Sequence, residues 1–267
     1  MRIEIKVLGP LEVTVGGVSI VPTASKPSQL LAMLALNAGR VVSTTALAEE
    51  IWDYEPPRSG LPTLHTYVLK LRRKLQDALA DEGGVTSKDI LITRRSGYLL
   101  NVAHEDVDAF RYEQLSSTGR QAVNKGAHET ASRALGEALR LWRGQALADV
   151  ATGPQLGIEA MRLEENRLGD LHLRIEADLR LGRHHQLLGE LATLCARHPL
   201  LENFCVQHMI ALYRSGRQSQ AMEAFRRLRG AMVEQLGVEP STKVRQVHHA
   251  VLTGHAVMED PNFVFNS

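Results

Sequence analysis

The residues of this sequence that are best placed for chemistry are the cations of residues 58–76. These cations are Arg58, Lys70, Arg72, Arg73 and Lys74. No acidic residue follows them before Asp77. A solvated helix face normally mixes charges of both signs, as in Glu–Lys pairs one turn apart. A face of cations alone favours contact with the phosphates of a nucleic acid.

The same segment predicts an amphipathic helix over residues 59–76. At 3.6 residues per turn, one face carries the apolar residues Leu64, Val68, Leu71 and Leu75. The opposite face carries Thr66, Lys70 and Arg73, and Thr63, His65, Arg72 and Lys74 flank it. We predict that all seven of these residues belong to a DNA-binding surface. The cations would neutralise phosphates, and the shorter side chains near the helix N-terminus would approach base edges.

A predicted β-hairpin over residues 90–100 supplies two further cations. The apolar strands Ile90–Thr93 and Tyr98–Leu100 flank the tetrapeptide Arg94-Arg95-Ser96-Gly97. An ordinary exposed hairpin is the alternative interpretation of a lone arginine pair. Because a basic helix precedes this pair, we predict that the helix enters the major groove and that Arg94 and Arg95 reach a neighbouring minor groove.

The elements that must position these residues follow from residue periodicity. Alternating apolar residues from Ile3 to Ile20 predict a small antiparallel sheet at the start of the chain. Ser25 and Ser43 are predicted to cap two helices, and Pro56-Pro57 separates the second helix from the basic one. Strands, three helices and a hairpin predict an α+β winged helix-turn-helix domain with an N-terminal β-sheet over residues 1–103.

Composition sets limits on the class of protein. The 267 residues carry a net charge of +1, divided into +2 for residues 1–103 and −1 for the remainder, so the cationic character is local. No apolar run approaches the roughly 18 residues of a membrane span, and Met1 is followed by charged residues. We therefore expect a cytoplasmic, nucleoid-associated protein without membrane contact. Its two cysteines are expected to stay reduced.

Residues 104–253 predict an all-α domain. Leu181-Gly182-Arg183 recurs as Ser215-Gly216-Arg217, thirty-four residues later, and an amphipathic helix follows each copy. Thirty-four residues is the tetratricopeptide period, so stacked helix pairs are the expected architecture. Residues 254–267 show no helical period and are assigned as a C-terminal tail, which either moves freely or docks its aromatic residues on the helical domain.

Four segments of the first hundred residues closely resemble the OmpR-like DNA-binding domain of Streptomyces antibiotic regulatory proteins. They are Lys26-Pro27-Ser28-Gln29-Leu30-Leu31, Asn37-Ala38-Gly39-Arg40-Val41-Val42-Ser43, Leu64-His65-Thr66-Tyr67-Val68-Leu69-Lys70-Leu71-Arg72 and Ser96-Gly97-Tyr98. The segments around His198-Pro199-Leu200, residues 211–217 and residues 236–241 resemble the bacterial transcriptional activator domain that accompanies it in this family. The resemblance covers roughly residues 1–253.

This resemblance implies a transcriptional activator of a secondary-metabolite gene cluster. It implies cooperative binding to direct repeats in double-stranded promoter DNA and recruitment of the RNA polymerase holoenzyme. Direct repeats require a head-to-tail homodimer on DNA, with a heterologous protein–protein surface. We expect no phosphorylation of a receiver domain, because the chain starts directly at the DNA-binding sheet. We expect no nucleotide cofactor, because no Gly-x-x-x-x-Gly-Lys-Ser/Thr loop occurs.

Three alternatives compete with this interpretation. Cys195-x-x-His198 and Cys205-x-x-His208 have residue types that suit tetrahedral zinc, although a helical cysteine is more often a small core residue and no metal is expected. An enzyme is not expected, because no catalytic constellation can be assembled from the sequence. A tetratricopeptide-like adaptor, whose winged helix contacts protein, is the main alternative function. The carboxylate-free face of the basic helix argues against it.

Overall fold

The computed structural model describes residues 2–79 and 84–254. The chain divides into two compact units. The N-terminal unit comprises residues 1–117 and 137–168, and the helical unit comprises residues 118–136 and 169–267. The predicted tail, apart from its first residue, lies outside the described residues.

A three-stranded antiparallel sheet opens the N-terminal unit, as the alternation of apolar residues predicts. Its strands are β1 (Ile3–Lys6), β2 (Glu12–Val15) and β3 (Val18–Ser19), in the order β1-β2-β3. Ile3 pairs with Val15 and Ile5 with Val13. All four of these side chains are buried, because a period of two places them on the same face of the sheet.

Three helices follow this sheet, at nearly the predicted positions. They are α1 (Ser25–Leu36), α2 (Thr44–Trp52) and α3 (Gly60–Ala78). Ser43 caps α2 as predicted, since its hydroxyl accepts a hydrogen bond from the Ala46 amide at 3.0 Å. The predicted cap at Ser25 is wrong. Ala24 occupies the N-cap position of α1 without a side-chain hydrogen bond, and Ser25 is the first helical residue.

A second antiparallel sheet consists of β4 (Val41–Ser43), β6 (Gly97–Leu100) and β5 (Leu91–Arg94), in that order. A short helix, α4 (Ser87–Ile90), leads into β5 and β6, which form the predicted hairpin. Strand β4 was not predicted from the sequence, and it pairs with β6. A Cβ atom on Gly97 would lie 1.9 Å from the Val42 carbonyl oxygen, so this pairing requires glycine.

The core of the N-terminal unit extends beyond the winged helix. A 3-10 turn (His104–Asp106) precedes α5 (Asp108–Asn124), α6 (His128–Leu139) and α7 (Pro154–Arg180), and each of these three helices contributes residues to this unit. Tyr112 of α5 packs edge-on against Trp142 at 5.4 Å between ring centroids, and both are part of one core with the helices of the winged domain. This core therefore continues well past the predicted boundary at residue 103.

One buried carboxylate joins α2 to the start of α7 within this unit. The Glu50 side chain accepts hydrogen bonds from the backbone amides of Gly153, Gln155 and Leu156, at 2.6, 2.8 and 3.1 Å. Gln29 donates a fourth, at 3.0 Å. Glu50 thus satisfies amides at the N-terminus of α7 that have no partner within the helix.

The helical unit continues with α8 (His184–Arg197), α9 (Glu202–Arg214), α10 (Gln218–Leu236) and α11 (Thr242–Thr253). Neighbours α8 and α9, α9 and α10, and α10 and α11 pack against each other. Gly182 and Gly216, the repeated glycines, have φ angles of +74° and +73° and lie in the turns that join successive helices. The thirty-four-residue repeat is therefore a repeated helix, glycine turn and helix.

Within the described ranges, none of the helices is long and apolar enough to cross a membrane.

Candidate nucleic-acid interface

Helix α3 separates its two faces as the sequence predicts. Leu64, Val68, Leu71 and Leu75 are at most 1% exposed and anchor the helix to the core. His65, Thr66, Lys70, Arg73 and Lys74 are exposed on the other side. Burial of the apolar stripe fixes the rotation of the helix, so its polar face is held toward solvent.

Most cations of this region form no salt bridge within the part of the chain that the structure describes. No salt bridge among the described residues involves Lys70, Arg73, Lys74, Arg94 or Arg95. An unpaired cationic face retains its full attraction for phosphate, since no internal carboxylate must be displaced first. We call the exposed side of α3 together with the tip of the β5–β6 hairpin the cationic surface.

Arg72 differs from the other cations because it is already engaged. Its Nε and Nη2 atoms donate to the Leu91 carbonyl at 3.1 and 2.7 Å, and Nη2 also donates to the Thr93 hydroxyl at 2.7 Å. Leu91 and Thr93 belong to β5. Arg72 therefore ties the hairpin, which is the wing of the domain, to α3.

The tip of the wing carries the two arginines predicted there. Arg94 ends β5 opposite Gly97, and Arg95 lies in the two-residue turn that follows. Both side chains are exposed. The structure thus brings Arg94 and Arg95 and the cations of α3 into one domain, with Arg72 fixing the hairpin that carries the pair.

The polar residues near the N-terminus of α3 differ in the contacts that their side chains already make within the protein. The hydroxyls of Thr63 and Thr66 donate to the carbonyls of Ser59 and Pro62, at 2.7 and 3.0 Å, and both retain acceptor capacity. His65 packs edge-on against Tyr98 at 6.5 Å between ring centroids. Its ring is nevertheless exposed.

Leu69 is a further exposed residue of α3 that was not predicted from the sequence. This side chain is 63% exposed and lies on α3 between Thr66 and Arg73, about one turn from each. An exposed leucine in a polar face offers apolar contact for a thymine methyl group. The available signal was its position, since Leu69 falls outside the buried stripe of Leu64, Val68 and Leu71.

Two aromatic residues could have served either the core or DNA. Tyr98 is buried, and burial raises the pKa of its hydroxyl. Tyr67 is partly buried and stacks on Trp52 at 6.5 Å. Both residues therefore support α3 and the wing from behind.

The four residues considered for zinc come together around one cavity. Cys195, His198, Cys205 and His208 all line it. Within residues 2–79 and 84–254, however, no group of three or more His, Cys, Asp or Glu side chains has an arrangement that could hold a metal ion. The ligand types are present, but their geometry does not support a zinc site.

Two protein-family models match the chain. Residues 19–100 match the transcriptional regulatory protein, C-terminal family, and residues 107–252 match the bacterial transcriptional activator domain. The second match starts inside the N-terminal unit, whose core continues to Leu163. The division at residues 103 and 104 stays a prediction.

Relatives cover nearly the whole chain. The regulatory protein DnrI of Streptomyces peucetius is 49% identical over 93% of this chain and 92% of its own length. The transcriptional regulator RedD of Streptomyces coelicolor is 34% identical over 97% of this chain and 73% of its own length.

A solved structure shares the fold. Mycobacterium tuberculosis EmbR, in complex with a low-affinity phosphopeptide, superposes with a TM-score of 0.84 at 32% identity. The match covers 95% of this chain and 65% of the EmbR chain. A winged helix followed by a bacterial transcriptional activator domain defines a transcriptional regulator that binds DNA. The chain belongs to the Streptomyces antibiotic regulatory protein family of transcriptional activators.

Proposed function

We propose that this protein activates a secondary-metabolite gene cluster by binding direct repeats in promoter DNA and recruiting the RNA polymerase holoenzyme. The observation that carries the proposal is the cationic surface, whose lysines and arginines form no salt bridge among the described residues and which includes a wing fixed by Arg72. The protein acts by binding and not by catalysis, on the nucleoid in the cytoplasm.

The residues have distinct proposed roles on DNA. Lys70, Arg73 and Lys74 contact phosphates along the major groove, and Arg94 and Arg95 contact the adjacent minor groove. His65, Thr66 and Leu69 face the base edges, with Thr63 at the rim. Arg72 contributes its positive charge, but its hydrogen bonds to β5 make it mainly a support for the wing.

The proposed oligomer on DNA is a head-to-tail homodimer. Two copies on a direct repeat have the same orientation, so the contact between them joins different surfaces of the two protomers. Such a contact makes binding to two repeats cooperative.

The test is binding to the promoter upstream of neighbouring biosynthetic genes, measured by fluorescence anisotropy across a series of salt concentrations. A matched probe carries only one repeat, and a third carries two repeats in inverted orientation. We expect steep salt dependence, cooperative binding to the direct repeats, and loss of cooperativity on both other probes. In vitro transcription with purified polymerase then tests recruitment.

The adaptor alternative makes the opposite prediction. A winged helix that contacts protein would bind DNA weakly, with little response to the number or orientation of repeats. That result would reject the proposed promoter recognition.

A further inference from the structure

A partly open cavity in the helical unit is lined by residues of α8, α9, α10 and the loop between α8 and α9. Its volume is about 320 Å³, at the lower end of the range of small-molecule sites. Much of its wall is apolar and includes Ala192, Leu201, Ala224 and Leu228. None of the residues that line it belongs to the cationic surface, so the proposed function does not account for this cavity.

A buried histidine in the wall of this cavity lacks a hydrogen-bond partner. His208 is only 6% exposed, and its Nδ1 atom has no partner among the described residues. Burial, with a smaller effect of Arg227, lowers the pKa of His208 to about 4, so the ring is neutral near pH 7. The ring of His208 therefore adds an uncharged polar group to a largely apolar wall.

A cation stands at the rim of the cavity. Arg227 lines the cavity, and its side chain is 64% exposed. Its Nη1 atom lies 4.0 Å from Glu223, whereas Arg226 bonds the same carboxylate at 2.5 Å. Glu223 therefore neutralises Arg226 more than Arg227, which leaves Arg227 able to attract an anion.

The two thiols in the wall favour non-covalent binding. Burial raises the pKa of Cys195 to about 11 and that of Cys205 to about 12, with Arg227 acting in the opposite direction on both. Both thiols are therefore protonated at neutral pH and poor nucleophiles. They add soft, weakly polar surface to the wall.

We propose that this cavity binds a small organic acid with an apolar body. The carboxylate or phenolate of the ligand pairs with Arg227, and its body packs on the apolar wall beside the neutral ring of His208. The helical unit thereby contains a small-molecule site in addition to its role in the regulator.

The experiment uses the full chain without DNA and 4-fluorobenzoate as the probe, followed by ¹⁹F NMR. Arg227→Gln removes the cation, and Arg226→Gln is the matched control, because its side chain is 66% exposed and does not line the cavity. We expect saturable binding to the wild type and the control, and about tenfold weaker binding to Arg227→Gln. Neutral 4-fluorobenzyl alcohol should bind all three proteins equally.

A second variant tests the position of the site. Ala192 lines the cavity and is exposed, so Ala192→Phe adds bulk there without disturbing the core. Circular dichroism confirms that each variant is folded. Loss of binding in Ala192→Phe supports the proposal. Absent binding to the wild type, or equal binding to all four proteins, overturns it. Neither result bears on promoter binding, which the anisotropy experiment measures separately.

Discussion

The two compact units treat their buried carboxylates differently. In the N-terminal unit, backbone amides are the main donors to buried Glu50, and half-buried Asp108 accepts from the amides of Val7 and Leu8 at 2.8 and 3.1 Å. In the helical unit, arginines are prominent donors. Asp170 pairs with Arg120 at 2.8 Å, and Asp178 with Arg183 at 3.0 Å.

This difference decides which arginines remain available to a partner. Amide donors satisfy these two acids of the N-terminal unit without using the cations of α3, which stay unpaired among the described residues apart from Arg72. In the helical unit, Arg174 and Arg183 are engaged by Asp178 and neighbouring glutamates. The number of arginines in a region is therefore a poor guide to nucleic-acid binding, and the absence of paired acids is a better one.

Among the changes that test this difference, replacing Glu50 by glutamine should have the largest effect. A carboxamide at this position has one accepting oxygen where the carboxylate has two, so some backbone N–H groups at the start of α7 are left buried without partners. We expect Glu50→Gln to lower the free energy of unfolding by about 2–4 kcal/mol. Urea denaturation measures it, and Glu49→Gln, one residue away and only partly buried, is the control. Equal stability of the two variants would show that amide donors do not hold this carboxylate.

The next largest effect is expected on acidification, which should destabilise the helical unit before the N-terminal unit. Burial lowers the pKa of His172, His184, His208 and His248, all in the helical unit. An unfolded histidine takes up a proton near pH 6.5, but folded His208 does so only near pH 4. Stability of the helical unit should therefore fall as pH drops through this interval, with His208 contributing on the order of 1–3 kcal/mol.

Amide hydrogen exchange resolved by peptide tests this expectation. Peptides of the helical unit should lose protection first between pH 7 and pH 5. In the N-terminal unit, burial raises the pKa of Asp108, which acts in the opposite direction and favours the folded state on acidification. Simultaneous loss of protection in both units would contradict the expected difference in their stability at acidic pH.

Removing one unpaired cation should weaken DNA binding moderately. We expect Arg73→Ala to lower affinity roughly five- to tenfold at low salt and to reduce the salt slope by about one. Arg229→Ala is the control, because Arg229 is also exposed but bonds Glu239 at 2.7 Å through two nitrogens. A change of the same size in both variants would mean that pairing with acids does not distinguish the two regions.

Features formed by residues close in sequence were predictable, whereas contacts between residues distant in sequence were not. The stripe Leu64, Val68 and Leu71 and the acid-free face lie within one helix, so helical period was enough to predict both. The Glu50 carboxylate meets amides more than 100 residues away, and no local pattern marks them. Strand β4 was missed because it is three residues long, with a single buried side chain.

At the cationic surface, too, the features within one element were predictable and a contact between two elements was not. Exposure of Lys70, Arg73 and Lys74 followed from the rotation of α3, and Arg94 and Arg95 lie at the tip of the hairpin as predicted. The role of Arg72 did not follow, because its acceptor is a backbone carbonyl on β5, nineteen residues away. Sequence identifies a cation, but only the fold shows whether it is already occupied.

Substitutions of Arg72 separate the effect of its charge from its role in positioning the wing. Among the predicted effects, that of Arg72→Lys should be the smallest. Lysine keeps the charge but cannot make the forked contact with Leu91 and Thr93. We expect Arg72→Lys to lower the free energy of unfolding by about 1 kcal/mol and to weaken DNA binding only a few-fold, with an unchanged salt slope. Arg73→Lys, which keeps an unpaired charge, should change neither quantity. If Arg72→Lys instead leaves stability and affinity intact while Arg72→Ala lowers the slope, Arg72 acts as a phosphate contact like its neighbours. The wing must then be held by β4 and β6 alone.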